Sequence, residues 1–195
     1  MVRSYSKISQ RYSMWDSFRN TRIKLLEEAI SEGKVDEKII PLLKKINENK
    51  DLVTISSCYG RIVLLGFDVA KTKKTSTFYQ KWHRRVSEEE VELALANYTG
   101  RLPLWFKVEP FILHVAAKDM PAAIDFLTKM RKAGVKRGGI QGIQKDRANI
   151  EMQGTISLAF PVDAFEGSWN DMIAMANKMM ELNEKQVKKL ERIKW

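Results

Sequence analysis

The amino-acid sequence predicts an α+β fold in which a mixed or mainly antiparallel sheet packs against helices. Segments with strand-like patterns cluster between amphipathic helical segments, without the regular β-α-β alternation of a doubly wound parallel sheet. The chain has 195 residues, enough for one well-buried core, and no Pro/Gly-rich linker interrupts it. We therefore expect a single domain over residues 1–195.

Five segments have the apolar spacing and the end signals of helices. The basic residues 1–14 precede the first of them and are expected to form a flexible segment. The stretch Ser87-Glu88-Glu89-Glu90 is a capping box, because its hydroxyl and its last carboxylate satisfy free amides reciprocally. The helices are predicted at residues 15–30, after Asp36, after Ser87, from Asp119 to Gly134 and at residues 168–194.

The predicted strands lie at residues 52–56, 61–67, 78–86, 104–116, 138–143 and 149–160. The first two flank the stretch SCYG and are expected to form a hairpin. The strand 104–116 contains Pro110, which cannot donate to a ladder, and a one-residue bulge there would shift its alternation. Lys107, Glu109 and His114 would then share one side, opposite a buried apolar side. This polar row is either the wall of a site or an edge strand with a surface Lys–Glu pair.

The net charge of +10 is concentrated in two windows. Residues 71–85 contain six lysines and arginines and no acid, and residues 129–147 contain seven with one acid. Concentrated positive charge is what a polyanion-binding face requires. In the first window Phe78, Tyr79 and Trp82 stand among the cations, a pattern suited to stacking on exposed RNA bases. The alternatives are solvated loops and a strand whose aromatic residues belong to the core.

What the sequence lacks disfavours several classes of protein. No apolar run approaches the roughly 20 residues that span a bilayer, and the polar N-terminus is not expected to be a signal peptide. The single cysteine precludes an internal disulfide, which favours a reducing, cytoplasmic location. His83 and His114 are the only histidines and have no short ligand spacing with Cys58, so no metal site is expected. P-loop and serine-hydrolase motifs are also missing.

Five stretches, taken in order, resemble the tRNA wybutosine-synthesizing protein 3 family over residues from about 34 to 192. They are TISSCYGRIVLLG, KWHRRV, FKVEPFILHV, AGVKRGGI and ANKMMELN. The elements Ser-Ser-Cys-x-Gly-Arg and Glu-Pro-Phe-x-Leu-His-Val are together highly specific, whereas either alone is not. The chain departs from the family pattern at Tyr59, where a small residue is frequent, at Gly138, where serine is common, and at Gln153, where many relatives carry arginine.

The resemblance implies an S-adenosylmethionine-dependent methyltransferase without a Rossmann fold. Its substrate would be the 7-aminocarboxypropyl-demethylwyosine base at position 37 of tRNA(Phe), methylated at ring nitrogen N4 in wybutosine biosynthesis. Matching positions would place in the site Ser56, Ser57, Cys58, Gly60, Arg61, His83, Lys107, Glu109, Pro110 and His114.

Methyl transfer from a sulfonium is an in-line displacement in which the attacking nitrogen must lose its proton. We expect His114, held beside Glu109, to be the base, because imidazole titrates near neutral pH; His83 is the second candidate. The loop after the first strand is expected to capture the cofactor, since Gly60 permits a close backbone approach and Arg61 can clamp a carboxylate. The expected cofactor-binding residues are Ser56, Ser57, Cys58, Gly60, Arg61 and Lys107.

The anticodon arm of tRNA(Phe) is expected to bind the basic windows mostly through its phosphates, with the base buried among aromatics such as Trp82 or Trp105. The expected RNA-binding residues are Lys73, Lys74, Trp82, Arg84, Arg85, Lys136, Arg137 and Arg147. Two rivals stay open: a non-catalytic RNA-binding protein, and a methyltransferase for another modified tRNA nucleoside. The sequence does not indicate an oligomeric state.

Overall fold

The structure, a computed structural model, describes residues 2–68 and 76–195, with side chains from Met14 onward. Residue contacts divide the chain into two compact units. The first comprises Met1–Cys58, Ile112–Gln153 and Val187–Trp195, and the second comprises Tyr59–Phe111 and Gly154–Gln186. Neither unit is a continuous stretch of sequence, and the expectation of a single domain stays a prediction.

Helices and strands follow one another in an α+β arrangement. The helices are α1 (Val2–Ser31), α2 (Ile40–Asn47), α3 (Glu88–Ala96), α4 (Met120–Lys132) and α5 (Trp169–Glu191). The strands are β1 (Leu52–Cys58), β2 (Arg61–Gly66), β3 (Thr77–Trp82), β4 (Leu104–Glu109), β5 (Ile112–Ala117), β6 (Arg137–Ile143), β7 (Ala148–Gln153) and β8 (Leu158–Pro161). They form two antiparallel sheets with the strand orders β1-β5-β7-β6 and β3-β2-β4-β8, so the predicted fold class is confirmed.

In the first unit, helices pack on the β1-β5-β7-β6 sheet. Alternate residues of β5 and β7 are buried, and α4, which has its own apolar stripe, packs against both strands. On the opposite face Trp15 of α1 clusters with Val53 and Ala116. The Trp15 indole also donates to the Lys50 carbonyl at 3.0 Å. One end of this second face is therefore covered by α1.

In the second unit, the β3-β2-β4-β8 sheet packs one face against α3 and α5. The fully or nearly buried residues of this core are Ile62, Leu64, Trp82, Val86, Val91, Leu104, Phe106, Val108, Ile173, Ala176 and Met180. Burying each large aliphatic side chain stabilises the fold by roughly 1.5–3 kcal/mol before entropy is counted. The other face carries Arg61 of β2 and Lys107 and Glu109 of β4.

Three expected strand arrangements are wrong. The predicted strand 149–160 forms two strands, β7 and β8, that belong to different sheets. Residues 104–116 form two strands, β4 and β5, that belong to different sheets, because the chain leaves the ladder at Pro110, which has no N–H to donate. The expected hairpin of residues 52–56 and 61–67 is not formed either: β1 pairs with β5, whereas β2 pairs with β3 and β4. The apolar side of the stretch is nevertheless buried as expected, at Phe106, Val108, Phe111, Leu113 and Val115.

The helix boundaries follow their predicted signals with two differences. The Ser87 hydroxyl accepts from the Glu90 amide and the Glu90 carboxylate accepts from the Ser87 amide, which confirms the capping box. Asp36, by contrast, makes no side-chain cap, and a 3₁₀ turn precedes α2. Helix α1 begins at Val2 rather than near Trp15. The side chains of residues 1–13 lie outside the description, and the flexibility of that segment stays a prediction. None of the described helices combines the length and the hydropathy needed to cross a membrane.

Candidate active site

A hydrogen-bonded row of three side chains crosses the sheet of the first unit. The Ser56 hydroxyl lies 2.8 Å from Nδ1 of His114, and Nε2 of His114 lies 2.9 Å from a carboxylate oxygen of Glu151. The three residues stand opposite one another on the adjacent strands β1, β5 and β7. Ser56 is exposed and the other two are half-buried, so the row is open to a ligand at its serine end.

A β-bulge in β1 brings Ser56 into this row. Thr54 pairs with Val115 and Ser56 pairs with His114, so Ile55 is an extra residue with no partner on β5. In a regular ladder Ile55 would lie opposite His114, and the serine would point to the other face of the sheet. Bulges re-aim side chains in this way beside functional sites. The next residue, Ser57, pairs with Leu113 and points away from the row.

The partners of His114 define the positions of its protons. A carboxylate only accepts hydrogen bonds, so Nε2 of His114 carries a proton that it donates to Glu151. In the neutral ring Nδ1 is then an acceptor, and the Ser56 hydroxyl donates to it. The row can therefore take up one proton at its serine end and hold the resulting imidazolium against a carboxylate. This is the chemistry of a general base.

The expected pairing of His114 with Glu109 is wrong. His114 is in β5 of the first unit and bonds Glu151, whereas Glu109 ends β4 of the second unit. A carboxylate on a third strand thus replaces the one predicted five residues upstream, because the chain changes sheets at Pro110. His83 is exposed just beyond the end of β3, and nothing in the structure tests its role as a base.

A second polar cluster lies in the second unit, on the face of the sheet away from α3 and α5. The Glu109 carboxylate accepts from Nε of Arg61 and from Nζ of Lys107, each at 2.7 Å. The Arg61 guanidinium also lies 4.6 Å from the centre of the Phe78 ring. Burial raises the pKa of Glu109, but hydrogen bonds from Lys107 and Arg61 outweigh it and bring the pKa below its usual value. Glu109 is therefore an ionised anchor for two cations.

Gly60 has a structural explanation that differs from the expected one. Its φ is +106°, and a Cβ built on it would lie 2.7 Å from the side-chain amide nitrogen of Asn183. That buried amide donates to the Tyr59 carbonyl at 2.6 Å and accepts from the Phe111 N–H at 2.8 Å. The close backbone approach that glycine permits here is made by Asn183, which explains the glycine without a ligand.

The six expected cofactor-binding residues divide between the two units. Ser56, Ser57 and Cys58 belong to β1 of the first unit, and Gly60, Arg61 and Lys107 belong to the second. Within the second unit Arg61 and Lys107 share a cluster through Glu109. Within the first, Ser56 and Cys58 lie on the same face of the sheet and Ser57 on the other.

The expected RNA-binding residues fall into four groups. Trp82 is only 6% exposed and belongs to the core of its unit, so its prediction as a stacking platform is wrong. Arg84 makes a bidentate pair with Glu90, and Arg147 pairs with Asp146 while lying over the Phe18 ring. Arg85, Lys136 and Arg137 are exposed, and no ion pair to another described residue holds them. Lys73 and Lys74 lie outside the described residues.

Sequence reasoning missed Glu151 and Asn183, although each leaves a signal. Glu151 is one of three polar residues that alternate with apolar ones along β7. Asn183 lies at a position of the α5 stripe between Met180 and Val187, where an apolar residue is expected. The patterns identify both as unusual, but the partner of each lies on a distant part of the sequence and cannot be read from spacing.

Comparisons with known proteins assign this chain to a family. The family model described as Methyltransferase TYW3 matches residues 9–193. A protein of Thermococcus sibiricus is 31% identical over 91% of this chain and 92% of its own length, and one of Pyrococcus horikoshii is 35% identical over 85% and 87%. Both bear the name tRNA(Phe) 7-((3-amino-3-carboxypropyl)-4-demethylwyosine(37)-N(4))-methyltransferase, the second with the number 1. The solved structure of the PH1069 protein from Pyrococcus horikoshii superposes with a TM-score of 0.82 at 32% identity, covering 90% of this chain and 93% of that one. The chain therefore belongs to the methyltransferase TYW3 family.

Proposed function

We propose that this protein transfers a methyl group from S-adenosylmethionine to N4 of the 7-aminocarboxypropyl-demethylwyosine base at position 37 of tRNA(Phe). Membership of the methyltransferase family across residues 9–193 carries the proposal. The names of the relatives supply the base, its position and the tRNA. A methyl donor follows from the family, and S-adenosylmethionine is the donor we propose. A purely RNA-binding role would leave the hydrogen-bonded row of Ser56, His114 and Glu151 without a function.

The charged cluster of the second unit has the chemistry to hold the amino-acid end of this cofactor. That end carries one carboxylate and one ammonium, and the cluster offers two cations, Arg61 and Lys107, with one carboxylate, Glu109. Its net positive charge leaves capacity for one further anion. When bound, S-adenosylmethionine supplies an electrophilic methyl group on sulfur and leaves as a neutral thioether. We therefore keep Arg61 and Lys107 as proposed binding residues.

The row of the first unit is proposed to remove the proton from the reacting nitrogen. During methyl transfer the proton of N4 would pass to the Ser56 oxygen, and the serine proton would pass to Nδ1 of His114. The resulting imidazolium is stabilised by the Glu151 carboxylate at its other nitrogen. The neutral imidazole is restored when its extra proton leaves to solvent by way of the exposed serine. His114 is thus the proposed base and Glu151 its positioning residue.

The proposed macromolecular partner is the anticodon arm of tRNA(Phe). Arg85, Lys136 and Arg137 are exposed cations that can meet backbone phosphates without first losing an ion pair to another described residue. Phe78 and Tyr79, at 42% and 37% exposure, replace Trp82 as the aromatic residues of this window that a base can reach.

Mass spectrometry of tRNA nucleosides tests the function directly. Purified protein is incubated with S-adenosylmethionine and tRNA(Phe) that carries the demethylated base at position 37, and with the same tRNA carrying guanosine there. We expect the mass of one methyl group to be added to the demethylated base alone, and His114→Ala to abolish the gain. An unchanged base together with measurable cofactor binding would indicate another nucleoside substrate, and no cofactor binding would indicate an RNA-binding protein.

A further inference from the structure

Strand β6 contains two glycines, Gly139 and Gly142, that nothing inside the described protein requires. Gly138 is explained, because its φ is +119° and a Cβ there would collide with the backbone of Glu151. Gly139 has no such constraint: its φ is not positive, and a Cβ built on it would meet no atom within 4 Å. A glycine inside a strand weakens it and often marks a place where a ligand approaches the backbone closely.

Gly139 extends the row of the candidate active site to the fourth strand. It pairs with Glu151, which pairs with His114, which pairs with Ser56. Paired residues on one face of a sheet lie side by side, so these four positions form one line across β1, β5, β7 and β6. Three of them carry hydrogen-bonding side chains and the fourth is bare. The surface along this line consists of side chains from Ser56 to Glu151 and of backbone alone at Gly139.

The size of this bare area suits a flat ligand. Neighbouring strands lie about 4.8 Å apart, so the line from His114 to Gly139 spans two such steps, close to 10 Å. This distance is comparable with the long axis of a fused three-ring base. A ring system that spans this distance, with its far edge over Gly139 and its reacting edge at His114 beside the Ser56 hydroxyl, would need the volume that any side chain at position 139 occupies.

We propose that the fused heterocycle of the substrate base lies against this face of the first sheet, over Gly139, with its proton-bearing nitrogen directed at the row of Ser56, His114 and Glu151. Gly139 is then a specificity-determining residue that admits a wide, flat base. The inference rests on the proposed function, and it adds where the base lies and which residue selects it.

Gly142 on the same strand provides a matched control. It too has an ordinary φ and open space at its Cβ position. It pairs with Asn149, which in turn pairs with Ala116, a residue that clusters with Trp15 under α1. Gly142 therefore lies on the same face in the neighbouring line of paired residues, on the side that α1 covers. Alanine at either position has the same effect on backbone freedom, but only position 139 would contact the base.

The test measures kcat/KM and KM for tRNA(Phe) carrying the demethylated base, with Gly139→Ala, Gly139→Val and Gly142→Ala. We expect a loss in kcat/KM of about tenfold for alanine and about 100-fold for valine at position 139, because a side chain would overpack the space left for the base. Gly142→Ala should retain wild-type values. The melting temperature of all three should be unchanged or raised, since no described atom is displaced.

Binding separates this inference from the proposed function. The affinities of each variant are compared for tRNA(Phe) carrying the demethylated base and for tRNA carrying guanosine at position 37. We expect Gly139→Val to weaken only the first complex. Equal weakening of both, or wild-type kinetics in both variants of Gly139, would overturn the inference even in an active enzyme. A wild-type protein that methylates nothing would refute the proposed function, and the binding comparison would still decide the role of Gly139.

Discussion

The carboxylate of Glu151 lies 2.9 Å from Nε2 of His114, on the neighbouring strand of the sheet. This contact orients the imidazole and fixes its tautomer, so that the nitrogen facing Ser56 is free to accept a proton. The geometry makes Glu151 a residue that acts through His114 rather than on the substrate. Its removal should therefore alter catalysis without removing the base itself.

Glu151→Gln should lower the rate of single-turnover methyl transfer by about 100-fold, because an amide can orient the neutral ring but cannot stabilise the imidazolium. Glu151→Leu should lower the rate further, since it also removes the hydrogen-bond acceptor for Nε2 of His114. Nitrogen NMR of labelled histidine would show the loss of the single His114 tautomer in the leucine variant. Glu37→Gln, at an exposed position before α2, is the charge control and should behave as wild type. A normal rate for Glu151→Leu would exclude the positioning role.

Ser56 and His114 should act as one unit in proton removal. Ser56→Ala removes the hydroxyl nearest the solvent, and His114→Ala removes the final acceptor, so each should slow methyl transfer by about 10²-fold or more. The double variant should be little slower than His114→Ala alone, because residues of one relay are not additive. Multiplying effects in the double variant would show that the two side chains serve separate steps. Ser56 is exposed, so its loss should leave the melting temperature unchanged.

Asn183 should be among the most sensitive positions for stability in the second unit. Its side chain satisfies the Tyr59 carbonyl and the Phe111 N–H, and it is only 2% exposed. Asn183→Ala leaves both groups buried without a partner, which should lower the free energy of unfolding by about 2–4 kcal/mol. Urea denaturation measures the loss, with Asn170→Ala at an exposed position in the first turn of α5 as the control. A change below about 0.5 kcal/mol would mean that water replaces the amide.

The sequence identifies local structure and individual residues here better than it identifies partners. The capping box at Ser87, the apolar stripe of α4 and the buried residues of β4 and β5 follow from spacing alone, because each depends on neighbours in the chain. The chain passes from one sheet to the other at Tyr59–Gly60 and at Pro110. Spacing does not predict these two crossings, because the pattern of a strand does not indicate which strand it pairs with. For the same reason the sequence predicts His114 beside Glu109, whereas its carboxylate partner in the structure is Glu151.

The basic window of residues 71–85 shows a second feature that the sequence does not predict, namely which of its aromatic residues are exposed. Aromatic residues among cations suit RNA binding and also suit a strand with one buried face, and periodicity does not separate the two. Trp82 pairs with Ile62 and faces the core, whereas Phe78 lies on the other face beyond a register shift between Leu64 and Leu65. That irregularity in β3 decides which aromatic residue is exposed, and a bulge leaves no clear mark in the sequence.

Glu109 should contribute a component of stability that disappears in acid. The pKa of Glu109 is lowered in the folded protein, because the hydrogen bonds from Lys107 and Arg61 outweigh the effect of burial. A lowered folded-state pKa stabilises the fold above the unfolded value, here near 4.5, and this contribution is lost as the pH falls below it. The free energy of unfolding of Glu109→Gln, measured in urea, should therefore depend less on pH below about pH 5 than that of the wild type. The control is Glu92→Gln, at an exposed position of α3, whose free energy of unfolding should vary with pH as that of the wild type does. If the free energy of unfolding of Glu109→Gln varied with pH in the same way as the wild type, a lowered pKa of Glu109 would be contradicted.

The salt dependence of tRNA binding should distinguish cations that are held by carboxylates from cations that are not. Lys136 and Arg137 are exposed with no ion pair to another described residue, whereas Arg84 is held by Glu90 and Arg147 by Asp146. A cation that contacts a phosphate releases a counterion, so removing it lowers the slope of log K against log salt by about 0.7–0.9. We expect a reduction of this size for Lys136→Ala and for Arg137→Ala.

The paired arginines should respond differently, because a phosphate must compete with the carboxylate that already holds each of them. Arg84→Ala and Arg147→Ala should change the slope by well under half as much as the unpaired cations. Glu90→Gln is the reciprocal test: releasing Arg84 should strengthen binding at low salt and steepen the slope. If all four alanine variants reduced the slope equally, the ion pairs of Arg84 and Arg147 would open on binding, and the charge of the whole window rather than its unpaired members would determine the affinity for tRNA.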